Sequence, residues 1–251
     1  MIKKFNFILK KKEIYKYFFY IFVFLIIIFF SYFFTPKFFN YSSQLIEESL
    51  RKNNDINIQN ISKITYKAFP TPRLNVSGSN FSIKENILQI NGSEIEIILK
   101  PSSILNYKNF FYNKIIIKGG STKININNIN QLLNYFKKNK LKISLKENNL
   151  VLVKNDKFLF EIKDSKTAIS NASNHLQLSM DGIFLNHKIT FLLGSKSKDG
   201  SNIIIKIPKL DIISDIFLEN ENKFGFLNGF VNVQILNNFF QFNFTKEKNI
   251  K

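Results

Sequence analysis

The sequence predicts a mainly β protein: an N-terminal transmembrane helix followed by a curved antiparallel β-sheet groove with a few short helices. Three observations carry this. Tyr17–Phe34 is a run of 18 residues with neither a charge nor a helix breaker. Beyond residue 55, apolar residues recur at every second position in short stretches, the period of a strand with one buried face. Pairs rich in Gly and Asn separate those stretches, as turn chemistry would.

The elements follow in order. Residues 1–16 form a lysine-rich tail, with Lys3, Lys4, Lys10, Lys11, Lys12 and Lys16 against Glu13. Residues 17–34 form the span. At 1.5 Å per residue it reaches about 27 Å, close to the hydrocarbon thickness of a bilayer. The segment after it carries Lys37 against Glu47 and Glu48, so the positive-inside asymmetry places the N-terminus in the cytosol and the rest outside. Tyr15, Tyr17 and Tyr20 at one end, and Tyr32 and Tyr41 at the other, suit the two headgroup regions. A cleaved signal peptide is the alternative. Its apolar region is shorter and ends in small residues, whereas Thr35-Pro36-Lys37-Phe38-Phe39 follows here, so the span is expected to be retained.

Residues 35–54 read as an amphipathic helix. Thr35-Pro36 supplies an N-cap and a first-turn proline, and Phe38, Leu45, Ile46 and Leu50 form one face before the Asn53-Asn54-Asp55 cluster. Residues 55–251 then form a β-domain. Its clearest alternations are Ile95/Ile97/Leu99, Ile115/Ile117, Ile124/Ile126, Leu141/Ile143/Leu145, Phe158/Phe160/Ile162, Leu176/Leu178/Met180, Ile189/Phe191/Leu193 and Val231/Val233/Ile235. Turns are expected at Asn91-Gly92, Gly119-Gly120, Asn148-Asn149, Asp181-Gly182, Asp199-Gly200 and Asn237-Asn238. Short helices are expected from Pro101 and from Asn128, the second with Ile129, Leu132, Leu133 and Phe136 on one side. A sheet of this kind either closes as a sandwich or barrel, or stays open with an apolar concave face. Both need the same alternation. The scarcity of helices long enough to cover the sheet favours the open form.

The chemistry-bearing inventory is thin. There is no Cys, hence no disulfide, thiolate ligand or lipidated cysteine. The net charge of +18 comes from 34 Lys and only Arg51 and Arg73. Without clustered Arg, and with the lysines outside the tail scattered over polar strand positions, the surface reads as solvated or membrane-facing, with no nucleic-acid site. His175 and His187 would face each other across a hairpin turning at Asp181-Gly182, but two histidines alone are ordinary surface residues before they are a metal site. Glu94 and Glu96 share one strand face and read as the wet side of the Ile95/Ile97 strand, not as an acid/base pair. Gly119-Gly120 opens no helix and so cradles no phosphate. The Asn-x-Ser/Thr sequons at Asn75, Asn91 and Asn171 are expected by chance in so Asn-rich a chain. With no nucleophile, metalloprotease or nucleotide motif present, the expectation is a non-enzyme without cofactor or metal.

The order of features resembles the N-terminal region of the AsmA family of bacterial envelope proteins. The pieces that carry the resemblance are the helix from Thr35 to Lys52 and the hairpin from Ile56 to Val76 with its Phe69-Pro70-Thr71-Pro72-Arg73-Leu74 corner. The strand and turn from Ser93 to Leu105 follow, then the strand pair from Ile115 to Ile126, the short helix at Asn130-Gln131-Leu132-Leu133 and the Gly182–Phe191 hairpin. The resemblance covers residues 17–193. It implies an inner-membrane, single-pass protein with a periplasmic β-groove, shielding or transferring membrane phospholipid in outer-membrane biogenesis and envelope lipid homeostasis. On that reading Ile95, Ile97, Leu99, Ile115, Ile117, Ile124, Ile126, Ile143 and Leu145 are the candidate lipid-facing residues. Two other roles share the same features: an assembly or scaffold factor binding outer-membrane proteins through strand edges, and a single-span component of lipopolysaccharide export.

Overall fold

The computed structural model describes residues 2–84, 87–172, 175–197, 200–219 and 226–247. The first element is a helix, α1 (Ile2–Phe34), which runs unbroken through the lysine-rich tail into the apolar stretch. Tyr15–Phe38, with mean hydropathy 2.5, is long and apolar enough to cross a membrane. Thr35 does not cap a new helix. Its hydroxyl donates to the Ser31 carbonyl at 2.6 Å, closing α1, and a single 3-10 turn follows over Thr35–Phe38.

The expected helix over 35–54 is therefore two pieces. Phe39 and Ser42 are extended, and α2 (Ser43–Asn54) begins after Ser42, whose side chain accepts from the Leu45 N–H. A Ser at the N-cap satisfies one of the first-turn donors that a helix leaves unpaired. Ile46 and Leu50 form its buried face, while Phe38 stands outside it and is 86% exposed.

Among the described residues, the β-domain is one sheet of fourteen strands. They are β1 (Ile56–Gln59), β2 (Lys63–Lys67), β3 (Arg73–Ile83), β4 (Leu88–Leu99), β5 (Tyr112–Lys118) and β6 (Ser121–Asn125). After α3 (Ile129–Lys138) come β7 (Lys142–Lys154), β8 (Lys157–Ala172), β9 (His175–Phe184), β10 (His187–Ser197), β11 (Gly200–Ile207), β12 (Ile212–Glu219), β13 (Phe226–Ile235) and β14 (Asn238–Glu247). From β7 to β14 each strand pairs antiparallel with the next. The exception to the antiparallel pattern is a crossover. β5 and β6 lie end to end against β4, and β7 returns parallel to both after α3. A parallel return needs a connection long enough to cross the sheet, and α3 supplies it.

A crease explains several glycine and asparagine pairs expected to be turns. β1 and β2 share one edge of β3 and break at Asn60–Ser62. At the same level β3 bends at Gly78, β5 gives way to β6 at Gly119-Gly120, β7 bulges at Glu147-Asn148 and β8 at Asp164-Ser165. Across this line the buried positions shift by one, from Leu74/Val76 to Phe81/Ile83, from Ile97/Ile95 to Ile90/Leu88 and from Ile143/Leu145 to Asn148/Leu150. An extra residue in each strand keeps both halves facing the core. Gly120 is obligatory there: φ is +78° and an added Cβ would lie 1.7 Å from the Asn91 carbonyl oxygen. Asn148, fully buried, ties the crease together by donating to the Gly119 carbonyl at 2.9 Å, and Ser165 donates to the Asn148 carbonyl at 2.6 Å.

Thus Asn91-Gly92, Asn148-Asn149 and Asp181-Gly182 lie inside β4, β7 and β9, and Gly119-Gly120 joins collinear segments, not a hairpin pair. The β9–β10 turn is Leu185-Asn186, and Asn155-Asp156 turns β7 into β8, with both residues of each at positive φ. That backbone suits the right-handed twist of a hairpin. Asp199 lies outside the described residues, and the last turn falls at Leu236-Asn237, beside the expected pair.

Two helices cover one face of this sheet. α2 lies against β1, and α3 lies against β8 and β9 through Leu132, Tyr135 and Phe136. The Tyr135 hydroxyl donates to the Asn54 carbonyl at 2.6 Å, joining the two helices, and Asn171 donates to the Phe136 and Lys137 carbonyls at the end of α3.

Candidate functional site

Cross-strand register lines up an apolar row across the whole sheet. Tyr66 of β2 stands opposite Leu74, then Ile97, Ile115, Ile143, Ile169, Leu178, Leu193, Ile203, Ile216, Val231 and Phe242 follow in consecutive strand positions. A neighbouring row runs Val76, Ile95, Ile117, Leu145, Thr167, Met180, Phe191, Ile205, Ser214, Val233 and Phe240. Directly opposed side chains on one face pack together, so the two rows form a stripe perpendicular to the strands, apolar throughout the first row and interrupted in the second by Thr167 and Ser214.

The stripe has a closed half and an open half. From β3 to β9 it belongs to one core cluster together with α2 and α3. From β11 outward no helix covers it among the described residues: Ile203, Ile205, Ile216, Val231 and Val233 are half-buried, and Phe240 and Phe242 are exposed. β10 is the transition, with Ile189, Phe191 and Leu193 half-buried against the edge of the core.

The expected groove residues fall in the closed half. Ile95, Ile97, Ile115 and Ile117 are 0% exposed, and Leu99, Ile143 and Leu145 are buried with them. The register does bring Ile97, Ile115 and Ile143 side by side, and likewise Ile95, Ile117 and Leu145. The expectation that they line an open face is corrected by the helices, because α2 and α3 are short yet sit where the creased part of the sheet needs covering. Ile124 is half-buried across the crease in the same cluster. Ile126 is not in a strand; it starts a 3-10 turn leading to α3. The sequence does not mark the open residues Ile203, Ile205, Ile216, Val231 and Val233 as a surface, although the alternation of Val231 and Val233 marks them as strand positions. Ile203-Ile204-Ile205 is an unbroken apolar run, so alternation alone does not assign its faces.

The opposite face is polar and mixed. Asn202, Lys206, Asp215, Asn232, Gln234 and Gln241 alternate with the stripe residues. Between β8 and β11 this face carries a shallow depression of about 460 Å³, floored by small residues such as Ala168, Ser170, Ser179 and Gly194. Further toward β3, Glu94 and Glu96 are not simply wet. Lys118 reaches Glu96 at 2.7 Å and Glu94 at 3.6 Å, with Arg73 3.9 Å from Glu96 and Asn75 donating to Glu94. Burial pushes the Glu96 carboxyl up, but the Lys118 hydrogen bond and the Lys118, Arg73 and Lys146 charges outweigh it, leaving it below its ordinary range. The same hydrogen bond holds Lys118 above its ordinary range. The cluster pins β3, β4 and β5 together and leaves no free base.

His175 and His187 begin β9 and β10 respectively and do not meet. His187 stands opposite Phe184, and the register leaves His175 about nine positions away, on the order of 30 Å along the strand. Among the described residues, no three His, Asp or Glu side chains gather closely enough to hold a metal. Compared with known protein families and with characterised proteins, the sequence matches none.

Proposed function

We propose that this chain is a non-enzymatic, AsmA-like lipid-shielding protein of the bacterial envelope. It is held in the inner membrane by α1, with its N-terminus cytoplasmic and its β-domain in the periplasm. Acyl chains of phospholipid lie on the open part of the stripe, over β10–β14, with their headgroups in water. The observation that carries this reading is the unbroken apolar row from Tyr66 to Phe242. At its start the Tyr66 hydroxyl donates to the Phe33 carbonyl at 2.8 Å, at the membrane end of α1. Its outer part, from Ile203 to Phe242, is left half-buried or exposed, and apolar surface in water is costly unless something covers it. Lipid tails are a partner whose apolar surface matches the half-buried and exposed positions of the stripe over β10–β14. The lysine excess before the span supports the orientation.

One feature favours a second reading, a scaffold for outer-membrane proteins. Among the described residues the outer edge of β14 pairs with no strand, and an open edge can take an extended segment from another protein.

Two measurements test the proposal. A reporter active only outside the cytosol should work when fused after Lys251 and fail at the N-terminus; the reverse pattern refutes the orientation. Mass spectrometry of the full chain purified in mild detergent should find co-purifying phospholipid. The double variant Ile205→Asp/Val233→Asp should lose most of it. Equal phospholipid in both proteins refutes the lipid reading, and enrichment of outer-membrane proteins in its place supports the scaffold.

A further inference from the structure

α1 does not behave as a tether from which the β-domain hangs. The Tyr32 hydroxyl donates to the Pro101 carbonyl at 2.6 Å, Tyr66 bonds the Phe33 carbonyl, and the Phe69 ring lies 6.4 Å from Phe30 and 5.9 Å from Phe34. Phe30 and Phe34 belong to the apolar stretch itself. A side chain packed on them shares their depth in the bilayer. Phe69 is nonetheless 51% exposed, so about half of its ring faces whatever surrounds the helix.

Other residues at the same end of the sheet fit the same surroundings. Phe38, Leu105 and Phe111 stand exposed on the connections flanking α1 and β5. Lys37, Lys67, Lys100 and Lys108 are exposed among them, as cations do when their stems lie in the apolar boundary and their ammonium groups reach headgroup phosphates. The loop from Phe69 to Pro72 carries prolines at 70 and 72, which have no N–H to leave unpaired in a low-dielectric layer. The Pro72 carbonyl is already occupied by the Leu99 N–H at 2.9 Å.

We infer that this rim, centred on Phe69 and Phe111, is inserted in the interfacial layer of the leaflet from which α1 emerges. The partner is the lipid headgroup region of the bilayer that α1 crosses. The inference rests on α1 spanning the membrane but not on lipid occupying the stripe. Its consequence is that the first strands are seated at a fixed depth, so the stripe starts at the membrane surface.

The chain contains no Trp, so single Trp substitutions report depth without background. Full-length Phe69→Trp, Phe111→Trp, Phe24→Trp and Phe158→Trp proteins are reconstituted in phosphatidylcholine vesicles brominated at shallow or deep acyl positions. Phe24 lies inside the span, and Phe158 is exposed at the β7–β8 hairpin, on the order of 40 Å along β7 from the rim. Circular dichroism and protease resistance matching the parent protein identify folded variants, and either rim variant suffices. The expected result is at least twofold quenching of Phe69→Trp or Phe111→Trp, stronger with shallow bromines, and no quenching of Phe158→Trp. Quenching of Phe24→Trp, with the rim variants no more quenched than Phe158→Trp, overturns the seated rim while leaving the anchor intact. Absence of quenching even at Phe24→Trp overturns the anchor and the rim together.

Discussion

Placing one carboxylate at two points on the same stripe separates its sealed half from its open half. Ile97→Asp introduces the charge between Leu74 and Ile115, with no exposed surface at the site. It removes roughly 2–3 kcal/mol of apolar burial. It also leaves an unpaired carboxylate, or forces it to protonate, at a further cost of several kcal/mol. A total of about 5 kcal/mol or more is comparable with the whole stability of many domains. Ile205→Asp places the same group between Phe191 and Ser214 on the half-buried part of the stripe. There the lost burial is about half as large, the carboxylate keeps water, and the Ser214 hydroxyl can donate to it, so about 1–2 kcal/mol is expected. Thermal unfolding followed by circular dichroism on the full chain in nanodiscs reads the difference. Ile97→Asp should yield no cooperative folded state, and Ile205→Asp should melt within several degrees of the parent. Collapse of the fold in Ile205→Asp would show that the outer stripe is covered, and tolerance of Ile97→Asp would refute the sealed core.

Three further outcomes follow from other parts of the fold. Gly120→Ala should cost about 3 kcal/mol or more, because its Cβ meets the Asn91 carbonyl at 1.7 Å and its φ is +78°. Gly194→Ala, with nothing within 4 Å, should shift the denaturation midpoint little, and chemical denaturation of both compares them. Glu96 has a depressed pKa in the folded chain, so its contribution is present above the ordinary carboxylate range and is lost as pH falls through the folded value. Glu96→Gln should therefore flatten the acid limb of a stability–pH profile, while the raised Lys118 contributes at neutral pH and loses its contribution in strong alkali. His175→Ala/His187→Ala should leave the melt and the lipid content unchanged, and loss of lipid from a folded double variant would point to chemistry at these positions.

Sequence periodicity located the strands well where apolar and polar residues strictly alternate, as in Ile95/Ile97/Leu99 and Ile189/Phe191/Leu193. It misplaced turns where Gly or Asn serves a bend inside a strand. Asn91-Gly92 and Asp181-Gly182 have turn composition, but Gly182 is required because a Cβ there would lie 2.5 Å from Ile162 of the neighbouring strand. Conversely, the real turn at Leu185-Asn186 contains no Gly to mark it. The stripe itself was half legible. Alternation identifies which side chains share a face, and the register confirms Ile97, Ile115 and Ile143 as neighbours. Which stretch of that face is covered depends on where α2 and α3 land, and helix length does not reveal that. Three side chains of α3, Leu132, Tyr135 and Phe136, help seal strands that are far away in sequence. The Glu94/Glu96 cluster was invisible for the same reason, since Lys118 and Arg73 join it only through strand pairing.

A photo-crosslinking scan in living cells reads directly whether acyl chains lie on the open half of one sheet face. Crosslinking amino acids are placed singly at Ile205, Ile216 and Val233 on the stripe, at Ile204 and Asn232 on the opposite face, and at Ile97 in the sealed core. Phospholipid adducts are expected at the first three positions, with little or none at the others. Equal adducts at Ile204 and Ile205, or adducts confined to Ile204 and Asn232, would contradict that expectation.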